Sequence, residues 1–396
     1  MFSSASQTII VTPILPVIGA ALDVEPASLG LLVTAYSLML AAAALVMGPI
    51  SDRIGRRQAL LMGAGTLVVA LALHGLARSF EMLLAMRVVA GAGGGMLSGA
   101  AVSYVGDYFP YARRGWAAGW VMSGVPFGIV LGIPVGRVLA VGFDFRTPFL
   151  VFAAVMTVAF VLVLTVVPQP DVEREGRLSL RDTLLRYPRL LAQKDALVAS
   201  ATYFLMYLSL GLLVVYLPQW LTERYPLDVS LFGRPLRLFG LDVDFIATLF
   251  LVGGGASVFT GPAAGTLSDR IGRKPLILVS CFGLAAVTLA LTYVVVERWV
   301  AYPIYFGIMV LFAMRMTPLQ ALLTALVPGR QRGSLLSLTI ALGQVGTALG
   351  AALGGVLYAG AGYRVNTYAS AAVILLMALL VWRALPEPAD VEGLKV

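Results

Sequence analysis

Gly48-Pro49-Ile50-Ser51-Asp52-Arg53-Ile54-Gly55-Arg56-Arg57 is a short charged segment between two long apolar runs, and its reading decides the fold. It returns as Gly265-Thr266-Leu267-Ser268-Asp269-Arg270-Ile271-Gly272-Arg273-Lys274, with seven of ten positions identical at an offset of 217 residues. Pro110, Arg114 and Gly115 return as Pro328, Arg332 and Gly333 at an offset of 218. Gly128, Gly132 and Gly136 return as Gly346, Gly350 and Gly354, again at 218. One match of this kind is weak, but a series in register marks two homologous halves of about 200 residues each.

The chain is 59% hydrophobic and 12% charged, with a mean hydropathy of +0.91. A soluble domain is about a quarter charged, so a water-soluble enzyme is excluded as a class. Crossing a bilayer takes about 20 mostly apolar residues per helix. Runs of that length fall near 2–22, 29–49, 58–77, 82–106, 115–139, 148–167, 196–217, 245–264, 275–296, 301–325, 334–357 and 367–385. They are too long, and too evenly apolar, for barrel strands of about ten alternating residues. The expected fold is therefore an all-α membrane protein, with twelve transmembrane helices in two pseudo-symmetric six-helix bundles. The first bundle is expected over 1–167, a cytoplasmic linker over 168–195, and the second bundle with a short cytoplasmic tail over 196–396.

A net charge of +8 would suit a nucleic-acid partner if it were clustered for that purpose. It is divided by membrane side instead. With the Asp52 segment in the cytoplasm, 18 of the 28 Lys and Arg fall on that side. This is the positive-inside bias, and it places both termini in the cytoplasm and the chain in the inner membrane. The lone Cys281 sits inside an apolar run, so neither a disulfide nor a metal framework is expected. No cofactor is implied, and no Gly-Lys-Ser/Thr phosphate loop is present. The first run lacks the basic flank and cleavage site of a signal peptide. In the linker, Leu180, Leu184, Leu185, Leu190 and Leu191 alternate with arginines. Interfacial helix and solvated linker both fit that pattern. The outer loop 218–244, with Asp242 and Asp244, suggests no role.

Two ionisable residues stand well inside the runs, Arg87 and Arg315. A buried arginine costs at least about 2.5–3.5 kcal/mol on insertion scales, so each is a functional candidate. Neither has a counterpart in the other half, so neither is explained by the repeat. For Arg315 the alternative is an internal ion or carbonyl bond; for Arg87, nearer a run's end, it is snorkelling. Thr12, Tyr36, Tyr203, Tyr207 and Gln344 are further polar or aromatic candidates, each equally readable as packing. His74 reads as structural. Gly91, Gly93, Gly94, Gly95 and Gly99 follow no strand and lie in an apolar run, which favours close helix packing over phosphate binding. The four-residue spacing of Gly128/Gly132/Gly136 and Gly346/Gly350/Gly354 puts each series on one helix face, for packing or for sliding.

Twelve spans in two parallel halves, with Gly-x-x-x-Asp-Arg-x-Gly-Arg-Arg after the second and eighth, resemble the major facilitator superfamily over the whole chain. Arg87 in Leu83–Gly91 looks like that family's fourth-helix arginine motif. Ser123-Gly124-Val125-Pro126-Phe127-Gly128, continuing to Gly136, is similar to the fifth-helix glycine–proline motif of its drug:proton antiporter branch. The resemblance implies a monomeric secondary transporter working by alternating access, with no enzymatic activity. Its partners would be a small-molecule substrate, membrane lipid and protons as coupling ion, with no nucleic acid.

The hinges would bias the conformational states. The gating set is Gly48, Asp52, Arg53, Gly55, Arg56 and Asp107 in the first half, and Gly265, Asp269, Arg270, Gly272 and Arg273 in the second. Asp52 is expected at the start of the eleventh helix, Arg332-Gly333-Ser334, where the helix dipole favours an anion. Arg56 is placed to reach Asp107, and Asp269 to reach Arg114-Gly115. The family's cavity is lined by the first, fourth, seventh and tenth helices, so substrate contact is expected from Arg315, Arg87, Tyr36, Tyr203, Tyr207 and Gln344. No Asp or Glu stands in mid-span, a departure from antiporters of cationic drugs. A basic cavity suits an anionic, zwitterionic or neutral amphipathic solute. Export is the first reading. A facilitator or flippase for anionic metabolites or lysolipids is the second, and a non-transporting membrane receptor the third.

Overall fold

The computed structural model describes residues 10–108, 120, 128–169, 187–228, 230–231, 234–238, 240–325 and 329–385. Helical segments stand at all twelve expected positions. In the first half they are α1 (Val11–Leu22), α2 (Leu31–Ile54), α3 (Arg56–His74), α4 (Phe80–Tyr108), α5 (Ile133–Gly142, preceded by a π-helical turn, Gly128–Gly132) and α6 (Thr147–Thr165). In the second they are α7 (Lys194–Val214), with a short continuation α8 (Leu217–Arg224), then α9 (Phe245–Ile271), α10 (Arg273–Val294), α11 (Ala301–Ala325), α12 (Gly329–Ala361) and α13 (Tyr363–Ala384). Among the described residues, ten helices are long and apolar enough to cross a membrane. The two shorter apolar ones, Val11–Leu22 and Val130–Gly142, adjoin residues outside the description.

Two details refine the sequence reading. α2 and α9 run helically through the repeated charged segment to Ile54 and Ile271. The break is confined to Gly55, at φ 104°, and Gly272, at φ 97°. An L side chain rarely adopts such angles, so glycine alone sets both corners. The fold is all-α, with a little strand in one loop. The outer loop carries two small antiparallel hairpins, β1 (Ser230–Leu231) with β2 (Arg234–Pro235), and β3 (Arg237–Leu238) with β4 (Leu241–Asp242).

Inter-residue contacts divide the chain into two compact units, 1–186 with 227–247, and 187–226 with 248–396. In the first unit α4 packs on α2 and α3, α6 packs on α3, and α5 packs on α1. In the second, α10 packs on α11 and α13, and α7 packs on α12 and α13. Third-on-sixth and ninth-on-twelfth, third-on-fourth and ninth-on-tenth, first-on-fifth and seventh-on-eleventh are the same pairings repeated. The glycines explain why. Cβ atoms at Gly91 and Gly95 would strike the backbone oxygens of Tyr36 and Leu40, and Cβ atoms at Gly346 and Gly350 those of Phe204 and Leu208. A Cβ at Gly136 would strike the Ile10 side chain, just before α1. Large apolar side chains instead point outward, among them Phe259 at 80% and Val356 at 70% exposure. Such faces are stable only against lipid. The protein is a multi-pass membrane protein.

Candidate functional site

Gly55 N–H bonds to Ser51 O and Gly272 N–H to Ser268 O, each at 3.0 Å, closing the two hinges identically. In the first hinge Arg56 Nε donates to Asp107 Oδ2 at 2.5 Å, and Arg56 Nη1 to Ser51 Oγ at 3.0 Å. This fastens α3 to the end of α4. Arg53 and Arg270 are exposed. Asp269 lies 3.9 Å from Arg273, one turn along, with its side chain 67% exposed. The expected partner of Asp269, Arg114-Gly115, is outside the described residues, as are the side chains of Asp52 and Arg332 and the motif at 123–127. Gly48 and Gly265 lie within α2 and α9, the side-chain packing of Gly48 being outside the description.

The last hinge residue of each copy does work the sequence did not announce. Arg57 donates to the carbonyls of Val163 and Leu164 at the end of α6. Lys274 donates to Leu385 O, just beyond α13, at 3.0 Å. Cations at a helix C-terminus satisfy orphan carbonyls and oppose the dipole. Offset by 217 residues, Arg57 and Lys274 cap the sixth and twelfth spans alike. Nearby, the Tyr104 hydroxyl donates to Pro168 O at 2.9 Å.

The substrate candidates form two groups, one in each unit. In the first, Arg87 is fully buried on α4, donates to Leu32 O at 3.3 Å, and lies 4.3 Å from the Tyr36 ring centroid. Snorkelling is therefore overturned: the guanidinium is held inside by α2. Gly91 lets α2 approach closely enough for that contact. His74 is buried too, against Ala70 O and the Phe149 ring, in a structural setting. Thr12 is buried on α1.

In the second unit Arg315 is fully buried on α11, 5.2 Å from the Phe312 ring and 4.0 Å from Cys281 Sγ. Its Nε has no partner among the described residues. Tyr207 on α7 meets Phe312 edge-on at 6.5 Å, and Tyr203 sits 5.8 Å from Tyr207. Arg315, Tyr207 and Tyr203 thus belong to one cluster built by α7 and α11. Gln344 on α12 keeps a buried, unpartnered Oε1 beside Gly343, which packs on the Tyr207 ring.

Arg137, near the end of the fifth run, is a charged residue that the sequence reading passed over. It is 1% exposed on α5 and forms a two-pronged ion pair with Asp244, Nε and Nη2 each 2.7 Å from Oδ2. Its Nη1 donates to Pro13 O at 2.6 Å. Asp244 Oδ1 accepts from Ala247 N–H at 2.9 Å, capping α9. One carboxylate therefore serves as helix cap and counter-ion together. The outer loop that suggested no role carries this acid. An arginine in an apolar helix and an acid just before another helix, both at the same end of their spans, were the available signal. Nothing in the sequence paired them.

The matching family model is that of the Major Facilitator Superfamily, over residues 1–241 and 199–395. Similar curated proteins include the multidrug resistance protein MdtG of Erwinia billingiae, 28% identical over 96% of this chain and 90% of that one. MdtG of Proteus mirabilis is 26% identical over 89% and 84%. The uncharacterized MFS-type transporter YceJ of Bacillus subtilis is 24% identical over 90% and 87%. Among solved structures, a D-xylose-proton symporter superposes with a TM-score of 0.76 at 15% identity, covering 100% of this chain and 97% of its own. At that identity the likeness concerns the fold.

Proposed function

The chain belongs to the major facilitator superfamily, and on that premise we propose that it is a secondary active exporter of small amphipathic organic solutes, a carrier and not an enzyme. It works by alternating access between two bundles, 1–167 and 196–396, in the inner membrane with both termini cytoplasmic. The observation that carries this reading is the doubled hinge. The same glycine corner, the same N–H closure and the same basic cap of a neighbouring helix recur in each half. Matched corners of this kind suit two bodies that rock about a shared site. The names of the MdtG relatives support export. Arg56–Asp107, which fastens α3 to α4 beside the first hinge, is the contact whose making and breaking would bias the states. Two states that interconvert need differ by only a few kcal/mol.

The proposed solute contacts are Arg315, Tyr207 and Tyr203 with Gln344 beside them in the second unit and, considered by itself, the Arg87–Tyr36 pair in the first. The unpartnered Arg315 Nε and Gln344 Oε1 supply polar contacts, and the rings supply an apolar wall. Buried guanidiniums favour solutes with an anionic or zwitterionic head. The same observation supports a second reading, a facilitator or flippase for anionic metabolites or lysolipids without proton antiport. Proteoliposomes holding the purified protein separate them, tested with amphipathic anions, zwitterions and cations. Flux driven by a pH gradient, and sharply reduced in Arg315→Ala, supports the exporter. Flux indifferent to the gradient supports the facilitator, and no flux of any probe overturns both.

A further inference from the structure

The end of the second unit opposite its hinge holds a cavity of about 370 Å³, lined by Trp220, Glu223 and Arg224 of α8, Thr292 of α10, Tyr358 of α12, and Tyr363 and Arg364 of α13. It is separate from the Arg315 cluster, and no role considered above uses it. Its size lies within the range of small-molecule sites, about 300–1,000 Å³. We infer that it binds an organic anion with a flat apolar body, such as an aryl carboxylate or an amphiphile with a phosphate head.

Three observations point to that chemistry. The wall is aromatic: Trp220 and Tyr363 stack at 5.1 Å with an interplanar angle of 22°, and Tyr358 lies 6.4 Å from Tyr363. At the mouth, Arg224 and Arg364 are exposed and rest on aromatic faces, Arg224 at 5.8 Å from Trp220 and Arg364 at 4.7 Å from Tyr293. Among the described ion pairs neither takes part. Glu223, the one acid here, is already engaged. Its Oε1 accepts from Gln219 Nε2 at 2.6 Å and its Oε2 from the Tyr358 hydroxyl at 2.5 Å. Glu223 keeps its charge but is held by neutral donors and not by an arginine, so two guanidiniums outnumber one carboxylate at this cavity. Arginines held on ring faces keep their N–H edges for an oxyanion.

The third observation is Thr292. Helical threonines usually return their hydroxyl to the carbonyl four residues back. Thr157, Thr202, Thr222, Thr260 and Thr347 all do so. Thr292 lines the cavity at 8% exposure, yet its hydroxyl has no partner among the described residues. A buried hydroxyl left unpaired is costly, and a rotamer turned toward an anion in the cavity would satisfy it. Thr288, a turn away, is also unpaired but does not line the cavity.

Binding of 2-naphthoate to the purified full-length chain in phosphatidylcholine nanodiscs, followed by calorimetry, tests this. Wild type is expected to bind it and to bind neutral 2-naphthol at least tenfold more weakly. Arg224→Gln/Arg364→Gln should lose at least tenfold in affinity and Thr292→Val several-fold, with circular dichroism reporting on folding. Because the Arg315 cluster is itself proposed to take anionic solutes, the comparison is repeated in an Arg315→Ala background, where the loss caused by Arg224→Gln/Arg364→Gln should persist. Competition by phosphatidylglycerol added to the nanodiscs identifies the anion as a lipid headgroup; its absence identifies a soluble anion. Equal affinity in the double arginine variant, equal binding of 2-naphthol, or loss only in Arg315→Ala overturns the inference.

Discussion

A single carboxylate decides much at the outer end of the first unit. Asp244 balances Arg137 and caps α9; removing its charge ends the first role, while asparagine keeps an oxygen for the cap. Breaking a buried pair from one side strands the other charge, at a cost of about 3–5 kcal/mol. Asp244→Asn and Arg137→Met should each lower the midpoint of thermal unfolding in detergent markedly. The double variant Arg137→Met/Asp244→Asn should be milder than the sum, because no lone charge remains. Additive losses would show that the two residues act independently. Arg87 offers a second case. Its guanidinium lies over the Tyr36 ring, and cation–π contact of this kind is worth up to about 2 kcal/mol when desolvated. Tyr36→Leu should therefore destabilise more than Tyr36→Phe, which keeps the ring; equal losses would deny the ring contact.

Between elements, glycine sets how closely helices approach, and the two halves differ here. Gly91, Gly95 and Gly99 bring α4 against α2. An offset of 218 carries them to Met309, Ala313 and Thr317, where α11 meets α9 through side chains. A Cβ at Gly253 would meet the Tyr305 ring and Met309, not backbone. The second half trades a tight seam for a larger one, and the Arg315 cluster sits on the helix that makes it. Gly346→Val should disrupt α7–α12 packing, with overpacking costs of about 1–3 kcal/mol. Gly307→Ala, where nothing lies within 4 Å, should be neutral or stabilising by up to about 1 kcal/mol. Thermal unfolding of both in one detergent checks the contrast, and equal responses would remove the packing argument.

For the whole molecule, the proposed gating makes the Arg56–Asp107 contact a brake on one state. With Cys281→Ser removing the lone native thiol, Val105→Cys, near the end of α4, gives a reporter at a site 6% exposed. Adding Arg56→Ala should raise its rate of maleimide modification several-fold, and Arg56→Lys should raise it less. An unchanged rate would take Arg56 out of the gate. The exposed apolar belt also fixes the solvent. Phe259, Val356, Val158 and Trp382 face outward on four different helices, which only lipid or detergent tolerates.

The sequence by itself determined the twelve helices, the doubling and the hinge positions. Each rests on local terms: apolar runs long enough for a bilayer, and glycines at corners that no other residue adopts cheaply. It also marked Arg87 and Arg315, because a charge in an apolar run is visible without coordinates. Only the tertiary structure decided that Arg137 and Asp244 are partners, that Arg57 and Lys274 cap the sixth and twelfth spans, and that Arg87 is enclosed by α2. Those are contacts across roughly a hundred residues or between helix faces, and periodicity shows which face is apolar without showing what meets it. The outer aromatic cavity was hidden for the same reason, since its lining comes from four helices that the chain brings together only on folding.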